Sequence, residues 1–484
     1  MIVAHLLSAV LAFQSTPVAG VVPLENTPPP FGPVPSAAQL AWHDREMQMF
    51  IHFGPNTFTG VEWGEGTENP KMFAPSALDA KQWARVAKDA GMEAIILTTK
   101  HHDGFCLWPC ASTTHDVASS GWSKGERDVL RELSDACAAE GLGLGVYLSP
   151  WDRNNPKYGT GAEYNEYFKA QLREVLGGAY GPMVEMWFDG ACGEGANGKR
   201  QVYDFPSFNA LVHELQPNAV IFSDAGPGVR WVGNERGIGC ETHWCRLDRE
   251  KFFPGTPLSQ ELGEGHREGT HWVPAECDVS IRPGWFYHAD TDAKVKSVDE
   301  LEEIWYASVG RGCGLLLNVP PDRRGLIHEN DAAALRGLRA RLDATFALDL
   351  TRGAAVSASS LRKSSPESDR FGAACVVDGN PATYWATEDG VLTAALTLQF
   401  KTPMRIGIVR IDECIALGQR VAKFHVDAMV DGAWKTVTQG TTIGARRILR
   451  FDPVDASAVR VVIDESLAAP CISAVQLFAP RAKP

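Results

Sequence analysis

Between residues 36 and 345 the chain repeats one unit: an amphipathic helix, a turn containing glycine, a short hydrophobic strand, and a polar or aromatic cluster directly after it. The stretch "DAKQWARVAKDAGMEAIILTTKHHDGF" shows the unit in full, with a helix to Asp89, a turn at Gly91, a strand to Thr99, and then Lys100, His101 and His102. "VLRELSDACAAEGLGLGVYLSPWD" repeats it and ends in Ser149, Trp151 and Asp152. "QLREVLGGAYGPMVEMWFDG" ends in Asp189, and "FNALVHELQPNAVIFSDAG" in Asp224. "LEEIWYASVGRGCGLLLNVPPD" supplies a closing helix and strand. Helices alternating with buried strands require a parallel sheet, because parallel neighbours need a crossover between them. The size and the repeat predict an irregular (β/α)8-like (TIM) barrel, opened by "MQMFIHFGPNTF", in which some intervening helices are hard to see.

Barrels of this kind collect their sites at the C-terminal ends of the strands. His52, His101, His102, Trp151, Asp189 and Asp224 all follow directly on a strand-like run. One such residue is an ordinary turn, and Asp189-Gly190 is a common turn dipeptide. Several of them from different strands converge on one mouth, which predicts a functional site there.

The rest of the chain sets limits. With 484 residues it exceeds one ordinary domain, and near residue 350 the texture changes to short alternating strands separated by Asp-Gly, Gly-Asn and Pro turns. "AALTLQF", "RIGIVRIDE", "AKFHVDAMVDGAWKTVTQG", "RILRFDPV" and "AVRVVIDE" predict a C-terminal β-sandwich (jelly roll) over 350–484, with the boundary between Leu342 and Ala354. The apolar segment from Ile2 to Phe13 has the length of a signal-peptide core, although its positively charged start is missing, so residues 1–20 read as a signal for secretion or periplasmic export. A Pro-rich linker, 21–35, follows and should be extended and structureless. No second long apolar run predicts a membrane span. The formal charge of -13, without any Lys or Arg block, excludes a nucleic-acid footprint and favours a neutral or polar small substrate. Eleven scattered cysteines lack the paired spacing of a structural zinc site, and no disulfide is assigned.

Two carboxylates flanking an acetal carbon are the minimum equipment for glycoside hydrolysis. Asp189 suits the nucleophile: it is short, placed at a strand end, and followed by Gly190, which leaves room for a substrate to approach. "GVRWVGNERGIGCETHW" offers Glu235 and Glu241 as partners, and Glu235, four residues after Trp231, lies in a loop able to reach over the mouth. The imidazoles of His52, His101 and His102 are candidates for ligating a metal, acting as bases or binding hydroxyls. Adjacent residues of a regular strand face opposite ways, so His101 and His102 should not share one ion, and no HxH or HExxH pair occurs. Hydroxyl binding fits better, with Trp63, Trp187 and Trp285 against the apolar face of a sugar ring. Two other readings stand beside this one: a metal-dependent barrel hydrolase built on the histidines, and a non-catalytic glycan-binding protein.

"MFIHFGPNTF", "VEWGEG", "LTTKHHDGFCLWP", "GVYLSPWDRN", "MWFDGACGEG" and "WVGNE", in that order, resemble the family 29 glycoside hydrolases, the retaining α-L-fucosidases. The last two elements look most like the subgroup that cleaves α-1,3 and α-1,4 fucosidic linkages on branched glycans. The resemblance implies Asp189 as nucleophile and Glu235 as acid/base, the two carboxyl groups about 5 to 5.5 Å apart. It also implies sugar contacts from His52, His101, His102, Glu62, Trp63 and Trp187, with weaker matches at Arg230 and Trp285. No metal or other cofactor is implied, and the partners are fucosylated oligosaccharides or glycoproteins. "VVDGNPATYWAT" and the strands after it resemble a discoidin-like, galactose-binding-like jelly roll, which implies a carbohydrate-binding module or a sandwich that merely packs on the barrel.

Overall fold

The computed structural model describes residues 26–363 and 370–480, so the expected signal peptide lies outside the described residues. Eight parallel strands close into a barrel: β1 (Met47–Ile51), β2 (Ala94–Lys100), β3 (Gly143–Leu148), β4 (Met183–Trp187), β5 (Val220–Ser223), β6 (Val229–Trp231), β7 (Ala275–Ser280) and β8 (Gly314–Asn318). Each strand pairs with its sequence neighbours, and β8 returns to β1 through Met47↔Leu315 to Phe50↔Asn318. The expected irregular barrel is therefore present.

Alternation along the strands sorts the side chains. Met49, Ile51, Ile95, Leu97, Val146, Met186, Leu315 and Leu317 face outward into the layer of helices. Phe50, Ile96, Tyr147, Trp187, Phe222 and Leu316 face inward and fill the barrel. Trp187 stacks flat on Phe222, with ring centroids 3.9 Å apart and planes within 8°. Each buried ring of this size removes roughly 150–250 Å² from water, a few kcal/mol of stabilisation apiece. Around the apolar rings the interior is acidic: Gln48 Nε2 donates to Glu185 (3.1 Å), and Trp187 Nε1 donates to Glu276 (3.0 Å).

The irregularity has a local cause. β6 pairs only with the last residues of β5, Phe222↔Val229 and Ser223↔Arg230, so it begins close to the mouth and needs only the link 224–228, with no helix. β7, "AECDVS", was not legible as a strand because Glu276 and Asp278 break its apolar run, although it is fully buried. The expected closing helix and strand are Val298–Ala307 and β8, which pairs with β1, and a further helix, Glu329–Phe346, follows them.

The C-terminal strands form one antiparallel ladder of seven. "AALTLQF" and "RIGIVRIDE", expected as two strands, are one of 20 residues, Ala394–Glu413, and "RILRFDPV" and "AVRVVIDE" likewise join as Arg447–Ser466. Their mutual register breaks between Gln399 and Met404 and between Ile406 and Ile408, where Pro403 and Pro453 cannot donate to the ladder. The two strands bend there and wrap a core of Leu396, Leu398, Val409, Phe424 and Val461. Asp431 and Gly432, at φ 53° and 79°, make the tight hairpin turn between Val421–Val430 and Ala433–Gly440.

The described part of the Pro-rich stretch has neither helix nor strand, but it is not free. Phe31 N donates to Leu417 O (3.0 Å) and Arg420 donates to Pro29 O (2.7 Å), which straps the segment to the sandwich before it enters the barrel.

The buried carboxyls of Glu185 and Glu276 have raised pKa values, Glu185 to about 7 and Glu276 well above the usual range, first because of burial. A carboxyl raised in the folded state binds more protons there than in the unfolded chain, so stability falls as pH rises through the window from the unfolded value near 4.5 to about 7. Glu276→Gln keeps an acceptor for Trp187 and a donor for Glu185 without the charge. It should raise unfolding stability at pH 8 by about 1–3 kcal/mol and make the fall of stability with rising pH shallower than in wild type, as read by denaturant titration across pH.

Candidate active site

Inward-facing positions two residues apart carry the polar groups up to the mouth. Glu185, Trp187 and Asp189 form one such column, Gln48, Phe50 and His52 another, and Glu276, Asp278 and Ser280 a third. Phe188 N still donates to Phe222 O (3.0 Å), and beyond it the chain leaves the barrel. Asp189 is fixed at both oxygens: Oδ1 accepts from Ala191 N (2.7 Å) in a tight turn, and Oδ2 accepts from the Tyr147 hydroxyl (2.9 Å). His102 Nε2 stands 3.7 Å from Oδ2. Gly190 is needed for a different reason from the one expected. A side chain there would strike Asp224 and the backbone of Gly255, so its clearance admits the protein's own loop rather than a substrate.

The three expected histidines share one cavity of about 640 Å³ with Asp189, Glu235 and Trp285. His52 Nδ1 bonds Asn318 Oδ1 (2.8 Å), and burial pushes its pKa down to about 3. His101 is held neutral by burial and then by His102 and His52, and its Nδ1 is buried without a partner among the described residues. His102 Nδ1 bonds Ser149 Oγ (2.8 Å); burial lowers its pKa against the raising effect of Asp189. His101 and His102 both face the cavity, their ring centroids 4.1 Å apart, contrary to the opposite facing expected of a strand. The barrel strand has ended at Lys100, and Gly104 N closes a turn onto His101 O (3.0 Å). Among the described residues no group of three His, Cys, Asp or Glu side chains is arranged to hold a metal ion.

Glu235 sits exposed at the tip of the loop after β6. Asn234 folds that tip, accepting from Arg236 N (3.1 Å) and donating to Ile238 O (2.8 Å). On the cavity side the Glu235 carboxyl is partly buried, which raises its pKa; a hydrogen bond from Trp285 lowers it, and the charges of Asp189 and Glu62 raise it again. Glu241 is elsewhere. Its carboxylate is gripped by Arg311 and Arg447, which ties the barrel to the sandwich.

The tryptophans divide the wall. Trp187 is its floor, and Trp285 lies 5.1 Å from the His52 ring. Trp63 is 58% exposed on the rim, edge-on to His102 and Trp151. Glu62 lines the cavity and also holds the opposing loop, accepting from Trp285 N (2.6 Å) and bonding His288 Nε2 (2.7 Å). Arg230 does not reach the cavity, which corrects its expected sugar contact. It is 0% exposed, and its guanidinium donates to the carbonyls of Leu262, Val273 and Trp244.

Sequence reasoning missed Tyr147, Asn318 and Asp278. Asp278 accepts from Trp231 Nε1 (2.9 Å), and burial, then Glu235, hold its pKa well above the usual range. Acids two apart in a short apolar stretch were the available signal for it. A second cavity of about 380 Å³ adjoins the first, sharing Asp189, Glu235 and Asp278 and adding Asp224 and Thr256. Asp224 is raised to about 6 by burial and by Asp189.

Residues 33–344 match the family model described as Alpha-L-fucosidase, and residues 355–475 match that described as F5/8 type C domain. The chain is 44% identical over 458 residues to Alpha-L-fucosidase 1 of Arabidopsis thaliana, covering 94% of this chain and 89% of the relative. The crystal structure of SpGH29 superposes with a TM-score of 0.88 at 40% identity, covering 94% of this chain and 100% of that one. A Ruminococcus gnavus GH29 fucosidase in complex with fucose superposes with a TM-score of 0.86 at 32% identity, over 94% and 96% of the two chains. The chain belongs to the α-L-fucosidase family, glycoside hydrolase family 29, and carries a discoidin-like F5/8 type C domain after its barrel.

Proposed function

We propose that this α-L-fucosidase releases terminal L-fucose with retained configuration, using Asp189 as nucleophile and Glu235 as acid/base. The observation that carries the reading is the unequal support of two carboxyls on one cavity: Asp189 is fixed at both oxygens, while Glu235 stands on a loop with its pKa raised. Asp189 Oδ attacks the anomeric carbon as Glu235 gives its proton to the departing glycosidic oxygen, leaving a fucosyl ester on Asp189. Glu235, now a carboxylate, takes a proton from water, and that water displaces Asp189 from the same face the aglycone left. The neutral histidines are suited to exchange hydrogen bonds with hydroxyls, and Trp187 and Trp285 to cover the apolar side of the ring.

The linkage reading rests on the second cavity. It opens beside Asp189 and Glu235, where a leaving group would lie, and its volume of about 380 Å³ leaves space for a branch. This supports α-1,3 and α-1,4 fucosides of branched oligosaccharides or glycoproteins as substrates. Residues 1–20 are proposed as the export signal to a secreted or periplasmic location, where such glycans are met, and the sandwich as a carbohydrate-binding module.

Asp189→Ala should reduce turnover of any fucoside by roughly three orders of magnitude or more. Glu235→Ala should lose about 10²- to 10⁴-fold on natural glycosides, with azide restoring turnover of an activated aryl fucoside. Glu241→Ala should stay within a few-fold of wild type; azide rescue there instead would move the acid/base role to Glu241. Glu235 must be protonated for the first step, so kcat/KM falls as pH rises through its pKa. Trp285→Phe removes the hydrogen bond that lowers this pKa and should shift that basic limb to higher pH. Across an aryl fucoside, an α-1,2-fucosylated lactose and Lewis-type trisaccharides, the trisaccharides should be cleaved fastest; preference for the α-1,2 compound would refute the linkage assignment.

A further inference from the structure

Asn318, the last residue of β8, is buried beneath the cavity, and all of its amide bonds are accounted for. Its Nδ2 donates to Ser280 Oγ (2.9 Å) and to the carbonyl oxygen of Trp285 (2.8 Å). A carbonyl only accepts, so the amide cannot be turned the other way round. Oδ1 therefore faces His52, 2.8 Å from Nδ1, and the nitrogen opposite an oxygen acceptor must carry the hydrogen. A neutral imidazole has one hydrogen to place, which leaves Nε2 as a bare lone pair. The ring cannot easily turn away: Phe50, Phe286 and Trp285 pack around it at centroid distances of 4.5, 5.5 and 5.1 Å. Among the described residues no hydrogen bond to Nε2 is formed, and His52 lines the cavity.

We infer that Asn318 is a positioning residue that locks His52 in the Nδ1–H tautomer, so that Nε2 acts as a fixed hydrogen-bond acceptor for one sugar hydroxyl. The consequence is selectivity. That hydroxyl must spend its own hydrogen on His52, so a substituent without one, whether hydrogen, fluorine or methoxy, leaves the nitrogen buried and unsatisfied. The groups facing His52 are His101, whose ring lies 5.6 Å away, His102, and the Tyr147 phenol ring at 6.1 Å; none is an anion that would favour the imidazolium. The assignment of the hydroxyl to fucose rests on the proposed function, whereas the tautomer itself does not.

Two measurements test it in the full chain. In the ¹⁵N-histidine-labelled enzyme, with His52→Gln used to assign the signal, long-range ¹⁵N–¹H spectra between pH 5 and 8 should show Nδ1 protonated and Nε2 pyridine-like. A bare Nδ1, or a signal averaged over both tautomers, would overturn the inference. Asn318→Asp puts a carboxylate against Nδ1, which raises the His52 pKa and adds a hydrogen to Nε2 at low pH. KM for an aryl fucoside should then rise about 10- to 100-fold at pH 5 and recover toward wild type as pH increases, with a smaller change in kcat. A KM as insensitive to pH as that of wild type would count against it. Should the variant not fold, the wild-type spectrum decides alone. The expected tautomer in an enzyme that cleaves no fucoside would remove the substrate reading and leave the positioning role intact.

Discussion

Alternation inside a closed barrel governs this site. A strand offers every second residue to the interior, so a group can reach the mouth only if the positions two and four below it are acceptable inside the barrel. For Asp189 those positions are Trp187 and Glu185. Trp187 settles by stacking on Phe222 and giving its indole hydrogen to Glu276, which reaches it across the barrel from β7 with Asp278 and Ser280 above it. The height of Asp189 is thus set by an aromatic stack, and the stack is oriented by a buried acid. The acid carries a cost, since burial keeps Glu276 from ionising freely, and Glu185 and Gln48 share its surroundings.

The same burial gives the mouth its electrostatic character. Imidazoles lose their charge when desolvated and carboxyls lose theirs, so His52, His101 and His102 are pushed neutral while Asp224, Asp278 and Glu235 are pushed toward the acid form. The three imidazoles therefore add little positive charge beside Asp189, and the Arg282 guanidinium at the cavity wall is paired with Asp292 and Asp331. The cavity's neutral donors and acceptors suit a neutral sugar, and its remaining negative potential suits a transition state that gathers positive charge at the anomeric carbon.

Much of this was legible in the sequence, for identifiable reasons. The helix–turn–strand repeat carries the barrel, because burial on both faces leaves a parallel strand little choice but an apolar run ending in a polar cluster. Asp189 and the histidines stood out by breaking that run, and Glu235 by its place in a loop able to reach over the mouth. β7 hid for the converse reason: its inward positions are acids, and the pattern that marks a buried strand was erased by the residues that matter most. Arg230 misled because its sugar contact was implied only by a weak match to the family, and nothing local reveals three carbonyls gathered around it. His101 and His102 were judged by strand geometry one residue after the strand had ended. The Pro-rich stretch was judged by composition, and its carbonyls have partners in the sandwich, hundreds of residues away.

Glu235 and Glu241 were rivals in one short loop, and the fold separates them by tethering. At the Glu241 end the segment is pinned from both sides: Arg311 donates to Gly239 O (2.6 Å) and grips the Glu241 carboxylate, which Arg447 of the sandwich also holds, while His243 N donates to Thr442 Oγ1 (2.9 Å). At the other end Trp231 is held by Asp278 on the barrel wall. Glu235 lies between these anchors on a tip braced by Asn234, exposed yet spanned by two fixed points. The sandwich is therefore coupled to the mouth through the backbone of this loop, whether or not it touches sugar itself. The role proposed for Glu235, to donate a proton, wait and then accept one, needs reach without drift, and a short tip between two anchors supplies both.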